Sequence, residues 1–264
     1  MTLPLFSASD DPGPSFAELL RRTGTPARMP EGDMSARLEI THGTTVVAVR
    51  YADGVVMAGD RRATSGNLIS HRTMEKVYPA DRHSGVAIAG AAGPAMDMVK
   101  LFQLQLEHYE KVEGAELSLE GKANQLSGMV RSNLPAAMQG LVVVPLFAGY
   151  DTRRRQGRLF QYDVTGGRYE ETNFATTGSG SLHAGTVIKL GYRDGLGRDE
   201  ALDLVTRALW EAAESDSATG GPDPLRGIYP LVATISAEGF TPVTDAELAE
   251  RFAAAAATDR GVQQ

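Results

Sequence analysis

From Thr44 to Ser236 the chain alternates blocks of β-rich sequence with pairs of helical segments, and this order most limits what it can fold into. The first block reads Thr44-Thr45-Val46-Val47-Ala48-Val49-Arg50-Tyr51, then Ala52-Asp53-Gly54, then Val55-Val56-Met57-Ala58, two β-rich runs joined by an Asp-Gly turn. Further strands are expected at 85–89, 141–150, 158–164 and 228–236, with Pro145 and Pro230 marking edges or bulges. Between the strand groups, 94–112 and 119–134 read as one helix pair. In the second of these Leu119, Ala123, Leu126, Val130 and Leu134 recur every three or four residues. The other pair is 181–190 and 198–214, where Ala201, Val205, Ala208 and Ala212 repeat at helical spacing. Thr244 with Glu247 three residues later begins a terminal helix. Strand blocks alternating with helix pairs argue for an α+β domain of stacked layers, as opposed to a dinucleotide fold of strict βαβ units.

Residues 1–43 differ in texture. They hold five of the thirteen prolines and no sustained periodicity, and so read as an extension, with one short helix signalled by Ser15 and Glu18 at capping-box spacing. The remaining length suffices for a single well-cored domain of about 220 residues.

Composition removes several function classes. A net charge of −7, from 26 Lys and Arg against 33 Asp and Glu, disfavours a surface built to neutralise phosphates, so no nucleic-acid partner is expected. Zero cysteines exclude disulfides and thiol nucleophiles. No apolar run approaches the ~18 residues of a membrane span and no signal peptide opens the chain, so a cytoplasmic location away from membranes is expected. The histidines at 42, 71, 83, 108 and 183 form no close ligand pair, and neither a metal nor an organic cofactor is expected. Gly178-Ser179-Gly180 lacks dinucleotide or Walker spacing and reads by itself as a tight turn before a helix, and Arg153, Arg154 and Arg155 as a solvated hairpin tip.

The informative place is the Gly43-Thr44 boundary, where the extension meets the first β-run. If the chain is cut there, Thr44 carries a hydroxyl nucleophile and a free α-amine on one residue, and an amine of pKa about 8 can take up the hydroxyl proton. Downstream, Gly59-Asp60-Arg61-Arg62-Ala63-Thr64 closes the second run, and Met74-Glu75-Lys76-Val77 follows. Alone, Asp60 and Lys76 read equally well as a surface ion pair. Ile88-Ala89-Gly90-Ala91-Ala92-Gly93 and Asp216-Ser217-Ala218-Thr219-Gly220-Gly221 each read alone as loops.

Together, in this order and spacing, these motifs resemble the catalytic β subunits of the 20S proteasome, threonine proteases of the N-terminal nucleophile hydrolase superfamily, and most closely those of actinobacteria. The resemblance runs from about Thr41 to the last strand. It implies a four-layer αββα sandwich, a propeptide over 1–43 removed by self-cleavage between Gly43 and Thr44, and a catalytic domain over 44–264 with a short flexible tail. It implies Thr44 as nucleophile, Lys76 as the cation beside its hydroxyl and Asp60 as the carboxylate orienting that lysine. Ser179, Asp216 and Thr219 are implied around the α-amine, the last at a place where many relatives carry Ser, and the Gly90 N–H as oxyanion donor. Substrate is implied to meet Ala63, Thr64, Met74, Ile88, Ala92 and Met96. The uncharged character of the pocket residues among them suits cleavage after large apolar side chains. The implied partners are α-subunit rings, a second copy of this chain in stacked heptameric β rings, a ring ATPase acting through the α rings, and unfolded or tagged proteins as substrates. Non-catalytic ring subunits typically lack the Gly-Thr junction or the lysine, both present here. The bacterial two-ring relatives usually carry Gly-Asp-Gly-Gln where this chain has Gly59-Asp60-Arg61-Arg62.

Overall fold

The computed structural model describes residues 43–262, with side chains up to 257, and in the extension only Gly13, Ser15, Glu18, Arg21 and Arg22. Twelve strands and six helices lie within 43–262. In chain order they are β1 (Thr45–Tyr51), β2 (Gly54–Gly59), β3 (Ala63–Ser65), β4 (Leu68–His71), β5 (Val77–Asp81), β6 (Ser84–Gly90), α1 (Ala92–Glu113), α2 (Leu119–Ser132), α3 (Leu134–Ala137), β7 (Val143–Asp151), β8 (Gln156–Tyr162), β9 (Arg168–Glu171), β10 (Phe174–Gly178), α4 (Ser181–Gly191), α5 (Arg198–Ser215), β11 (Leu231–Ser236), β12 (Gly239–Pro242) and α6 (Asp245–Val262).

Two antiparallel five-stranded sheets, ordered β10-β1-β2-β11-β12 and β5-β6-β7-β8-β9, pack face to face. Alternation along each strand divides the core into three layers. Val46, Ala48, Val55, Met57, Ala87, Ala89, Leu146, Ala148 and Leu159 fill the space between the sheets. The opposite sides of β1 and β2, through Val47, Val49, Val56 and Ala58, meet α4, α5 and α6. The opposite sides of β6, β7 and β8, through Val86, Ile88, Phe147 and Phe160, meet α1 and α2. The result is the expected αββα stack. Both faces of the central strands are covered, which explains why β1 and β2 read as continuous apolar runs with no alternation to betray their partners.

The Asp53-Gly54 turn holds as expected, and Gly54 is fixed there because a Cβ would come 2.0 Å from the Ile235 carbonyl oxygen. Pro145 lies in β7 opposite Ile88, where β8 has not yet begun pairing, so the missing N–H costs no ladder bond. Pro230 precedes β11. The second predicted helix stops at Ser132, two residues early, because Pro135 has no N–H to donate to the Arg131 carbonyl and instead sits in the first turn of a separate short helix, α3. The two capping signatures are present: the Glu18 N–H donates to Ser15 Oγ at 3.4 Å and the Glu247 N–H to Thr244 Oγ1 at 3.3 Å. The short strands β3, β4, β5, β9, β10 and β12 had no distinct sequence signal. The arginine tip turns between β7 and β8, where the Arg153 and Arg154 N–H groups donate to Asp151 Oδ1.

Candidate active site

One end of the sandwich gathers the start of β1, the ends of β2, β6 and β10, and the loop after α5. Antiparallel pairing produces this convergence: Thr45 faces Gly178 across β10, and Val46 faces Gly59 across β2. Gly178, at φ 102°, allows the close approach, since a Cβ there would fall 1.8 Å from the Thr44 carbonyl oxygen.

Asp60, fully buried directly after β2, is the centre of one half of the site. Its Oδ1 accepts the Thr45 N–H at 2.9 Å and Lys76 Nζ at 2.7 Å, and its Oδ2 accepts the N–H groups of Arg62 and Gly220, each at 2.9 Å. Four donors match the four lone-pair positions of a carboxylate. The pair with Lys76 is therefore interior, which removes the surface-pair reading: the two side chains are 0% and 4% exposed. Lys76 also donates to the Arg62 carbonyl oxygen at 2.6 Å. Burial pulls the Lys76 ammonium below its usual value, with the Asp60 carboxylate acting in the opposite direction.

The junction lies against this pair. Thr44 Oγ1 donates to the Gly43 carbonyl oxygen at 2.7 Å, and Lys76 Nζ reaches the same oxygen at 3.4 Å. Thr44 is buried, and the Gly43 N–H donates to Thr64 Oγ1 at 3.4 Å. Gly43 itself admits no side chain, because a Cβ would lie 1.8 Å from Ala218 Cβ.

The second half surrounds the Thr44 nitrogen. The Thr44 N–H donates to Ser179 Oγ at 3.3 Å, and Ser179 Oγ donates to Asp216 Oδ2 at 2.5 Å. Thr219 Oγ1 donates to the same oxygen at 2.6 Å, and the Ala218 N–H to Asp216 Oδ1 at 3.1 Å. Burial raises the Asp216 carboxyl, but the Ser179, Thr219 and Ala218 hydrogen bonds outweigh it and hold the group below its usual value.

The structure thus brings Thr44, Asp60, Lys76, Ser179, Asp216 and Thr219 into one connected network. Gly90 ends β6 with φ 121° and makes no hydrogen bond to Gly43 or Thr44 among the described residues. Of the expected substrate contacts, Ala63 and Thr64 are buried on β3, Met74 and Ala92 are half-buried, and Met96 is exposed on α1. Ile88 is packed with Val86, Ala95 and Met98 beneath α1. Sequence reasoning missed the Arg62 carbonyl, the Gly220 N–H and the Thr45 hydroxyl. The first two are backbone groups that no residue letter reveals, while Thr45 was visible only as the second half of a Thr-Thr pair.

A four-layer αββα sandwich with a threonine hydroxyl at the head of β1, beside a buried ammonium, is the architecture of the N-terminal nucleophile hydrolases. Comparison with known proteins narrows this. Residues 40–223 match the family model for proteasome subunits. A proteasome subunit beta of Acidimicrobium ferrooxidans is 59% identical over 250 residues, covering 95% of this chain and 92% of that protein. One from Streptomyces griseus is 60% identical over 217 residues, covering 82% and 77%, and one from Jonesia denitrificans is 52% identical over 241 residues, covering 90% and 80%. The chain belongs to the proteasome subunit family. Among the described residues no helix is long and apolar enough to cross a membrane.

Proposed function

We propose that this chain is a proteolytic β subunit of the proteasome core and a threonine endopeptidase, synthesised as a precursor that cuts its own Gly43–Thr44 bond. The observation that carries the reading is the shared Gly43 carbonyl oxygen, contacted by the Thr44 hydroxyl at 2.7 Å and the Lys76 ammonium at 3.4 Å. The ammonium favours negative charge on that oxygen, while the hydroxyl, now pointing at the oxygen, needs only to turn to present a lone pair to the carbonyl carbon.

Attack by Oγ1 on the Gly43 carbon forms a C–O bond as the C–N bond to Thr44 breaks, and the hydroxyl proton passes to the departing nitrogen. Water then hydrolyses the ester, releasing residues 1–43 and leaving 264 − 43 = 221 residues that begin with a free amine. In turnover the amine takes the Oγ1 proton, Oγ1 attacks the substrate carbonyl carbon, the scissile C–N bond breaks as the leaving amine receives the proton, and water then hydrolyses the acyl ester to restore the Thr44 hydroxyl. Asp60 keeps Lys76 charged and aimed. Ser179, Asp216 and Thr219 orient the amine, and the Gly90 N–H is assigned to the oxyanion.

Ala63, Thr64, Met74, Ile88, Ala92 and Met96 are proposed to flank the substrate, with preference for cleavage after large apolar residues. The finer assembly proposed is two stacked heptameric rings of this chain between α rings, fed with unfolded or tagged proteins by a ring ATPase. Intact mass and N-terminal sequencing of the purified particle test the reading: a mature chain beginning at any residue other than Thr44 overturns it. The comparison variant is Thr44→Ala, expected to remain full length and to hydrolyse no peptide.

A further inference from the structure

We infer that Thr45, the residue after the proposed nucleophile, is a positioning residue whose side-chain hydroxyl orders the hydrogen-bond chain around the Thr44 nitrogen; the inference rests on the reading of Thr44 given above. Thr45 is fully buried, and its Oγ1 lies 2.6 Å from Thr219 Oγ1 and 3.0 Å from the Gly180 nitrogen.

Proton counting fixes the direction of every bond. A hydroxyl has one proton to give, and a carboxylate only accepts. Ser179 and Thr219 both commit their protons to Asp216 Oδ2, at 2.5 and 2.6 Å. With its proton so placed, Thr219 can only accept from Thr45. Thr45 Oγ1 in turn accepts from the Gly180 N–H. The chain therefore runs from the Gly180 N–H through Thr45 and Thr219 to Asp216, and from the Thr44 N–H through Ser179 to the same oxygen. Gly180 is required for this approach: a Cβ there would be 2.3 Å from Thr45 Oγ1 and 2.7 Å from Thr219 Oγ1.

Two hydroxyls thus compete for one carboxylate oxygen. Donation from Thr45 polarises the Thr219 hydroxyl and strengthens its hold on Oδ2, because linked hydrogen bonds reinforce one another. The carboxylate stays satisfied when Ser179 turns its proton toward the Thr44 amine. Thr45 also joins the two halves of the site, since its backbone N–H is bound to Asp60 Oδ1 at 2.9 Å while its hydroxyl serves Asp216. Being buried, it touches no substrate, so its influence belongs in turnover and in processing, not in substrate binding.

The test is Thr45→Val, nearly isosteric but without the hydroxyl, beside Thr45→Ser, which keeps it. Self-processing is followed by intact mass. Hydrolysis of a fluorogenic peptide is then measured per mature N-terminus, with kcat and KM separated. Thr45→Val is expected to lower kcat about tenfold or more with KM within about twofold, while Thr45→Ser stays within about threefold of the parent. If the valine chain does not fold, Thr45→Ala carries the same expectation in the same assays. A hydroxyl-free variant with kcat within about twofold of the parent overturns the inference, as does a serine variant that loses as much as valine, since packing and not the hydroxyl would then be at work. Thr44→Ala is run alongside: peptidase activity surviving there marks failure of the nucleophile reading itself.

Discussion

Asp60 and Lys76 form one ion pair, yet their removal should have very different consequences. Asp60→Ala strips the acceptor from the buried N–H groups of Thr45 and Gly220, from the half-buried Arg62 N–H, and from the Lys76 ammonium. Two buried orphaned donors at about 1–3 kcal/mol each, with an unpaired buried ammonium at about 3–5 kcal/mol, amount to roughly 5–11 kcal/mol. That is comparable with the whole stability of a domain, about 5–15 kcal/mol. Lys76→Met keeps the unbranched stem and leaves Asp60 three backbone donors, so its cost stays near about 3–5 kcal/mol. At about 2–4 °C per kcal/mol for a chain of this length, the methionine variant should melt cooperatively about 6–20 °C below the parent. The alanine variant should show no native melt. The assays are thermal unfolding by circular dichroism and hydrolysis of a fluorogenic peptide, in which Lys76→Met should lose about a thousandfold or more in turnover while folded. An Asp60→Ala protein as stable as Lys76→Met would refute the four-donor account of Asp60, and a Lys76→Met protein with near-parental turnover would refute the role of the ammonium.

Four further outcomes follow from the site and its proposed pocket. Gly43→Ala should slow self-processing severely by intact mass, and Ala218→Gly should not fully restore it, because the added Cβ also meets the Ala218 backbone at 2.8 and 2.9 Å. If Lys76 acts as the ammonium, kcat/KM should fall as pH rises through a value below the usual 10.5, its folded pKa being depressed by burial; a profile flat to pH 10.5 contradicts this. Asp216 is depressed instead by its hydrogen bonds, so its contribution to stability is complete above its unfolded value of 3.8 and is lost as pH falls through the lower folded value. The gap in melting temperature between the parent and Asp216→Asn should accordingly close in that acid window, and a constant gap contradicts the sign. Matched peptides ending in Leu or Tyr before the reporter should be cut faster than those ending in Arg or Asp, and the reverse order removes the pocket assignment.

A stacked α+β domain was legible because β1 and β2, joined by Asp53-Gly54, and the two helix pairs announce themselves by composition and period, whereas the αββα order of the layers came only from the family resemblance. The strands that close each sheet were not. β9 and β12 have four residues each, and β10, Phe174–Gly178, carries polar threonines at its pairing positions, so its place beside β1 is decided by tertiary contact alone. For the site, the bare spacing of Asp60 and Lys76 left surface and interior readings equal. What decides between them is the turn after β2, which aims Asp60 inward beneath Gly220, and the start of β5, which carries Lys76 toward it. Half of the network consists of backbone N–H and C=O groups and is invisible to any reading of side chains.

The two carboxylates also bear on how the precursor becomes the enzyme in the proposed mechanism. Among the described residues every donor to Asp60 and to Asp216 comes from residues 45–220, so cutting the Gly43–Thr44 bond removes none of these. What the cut removes is the Gly43 carbonyl, shared by Lys76 and Thr44, and the Gly43 N–H contact with Thr64. What it adds is a basic lone pair on a nitrogen already held against Ser179. Gly43 thus occupies the place that a substrate's acyl group takes in turnover, and the precursor is blocked by its own first substrate. In this mechanism activation requires a change in one functional group and the departure of the segment that ends at Gly43, with the surrounding hydrogen bonds already in place to receive the next peptide.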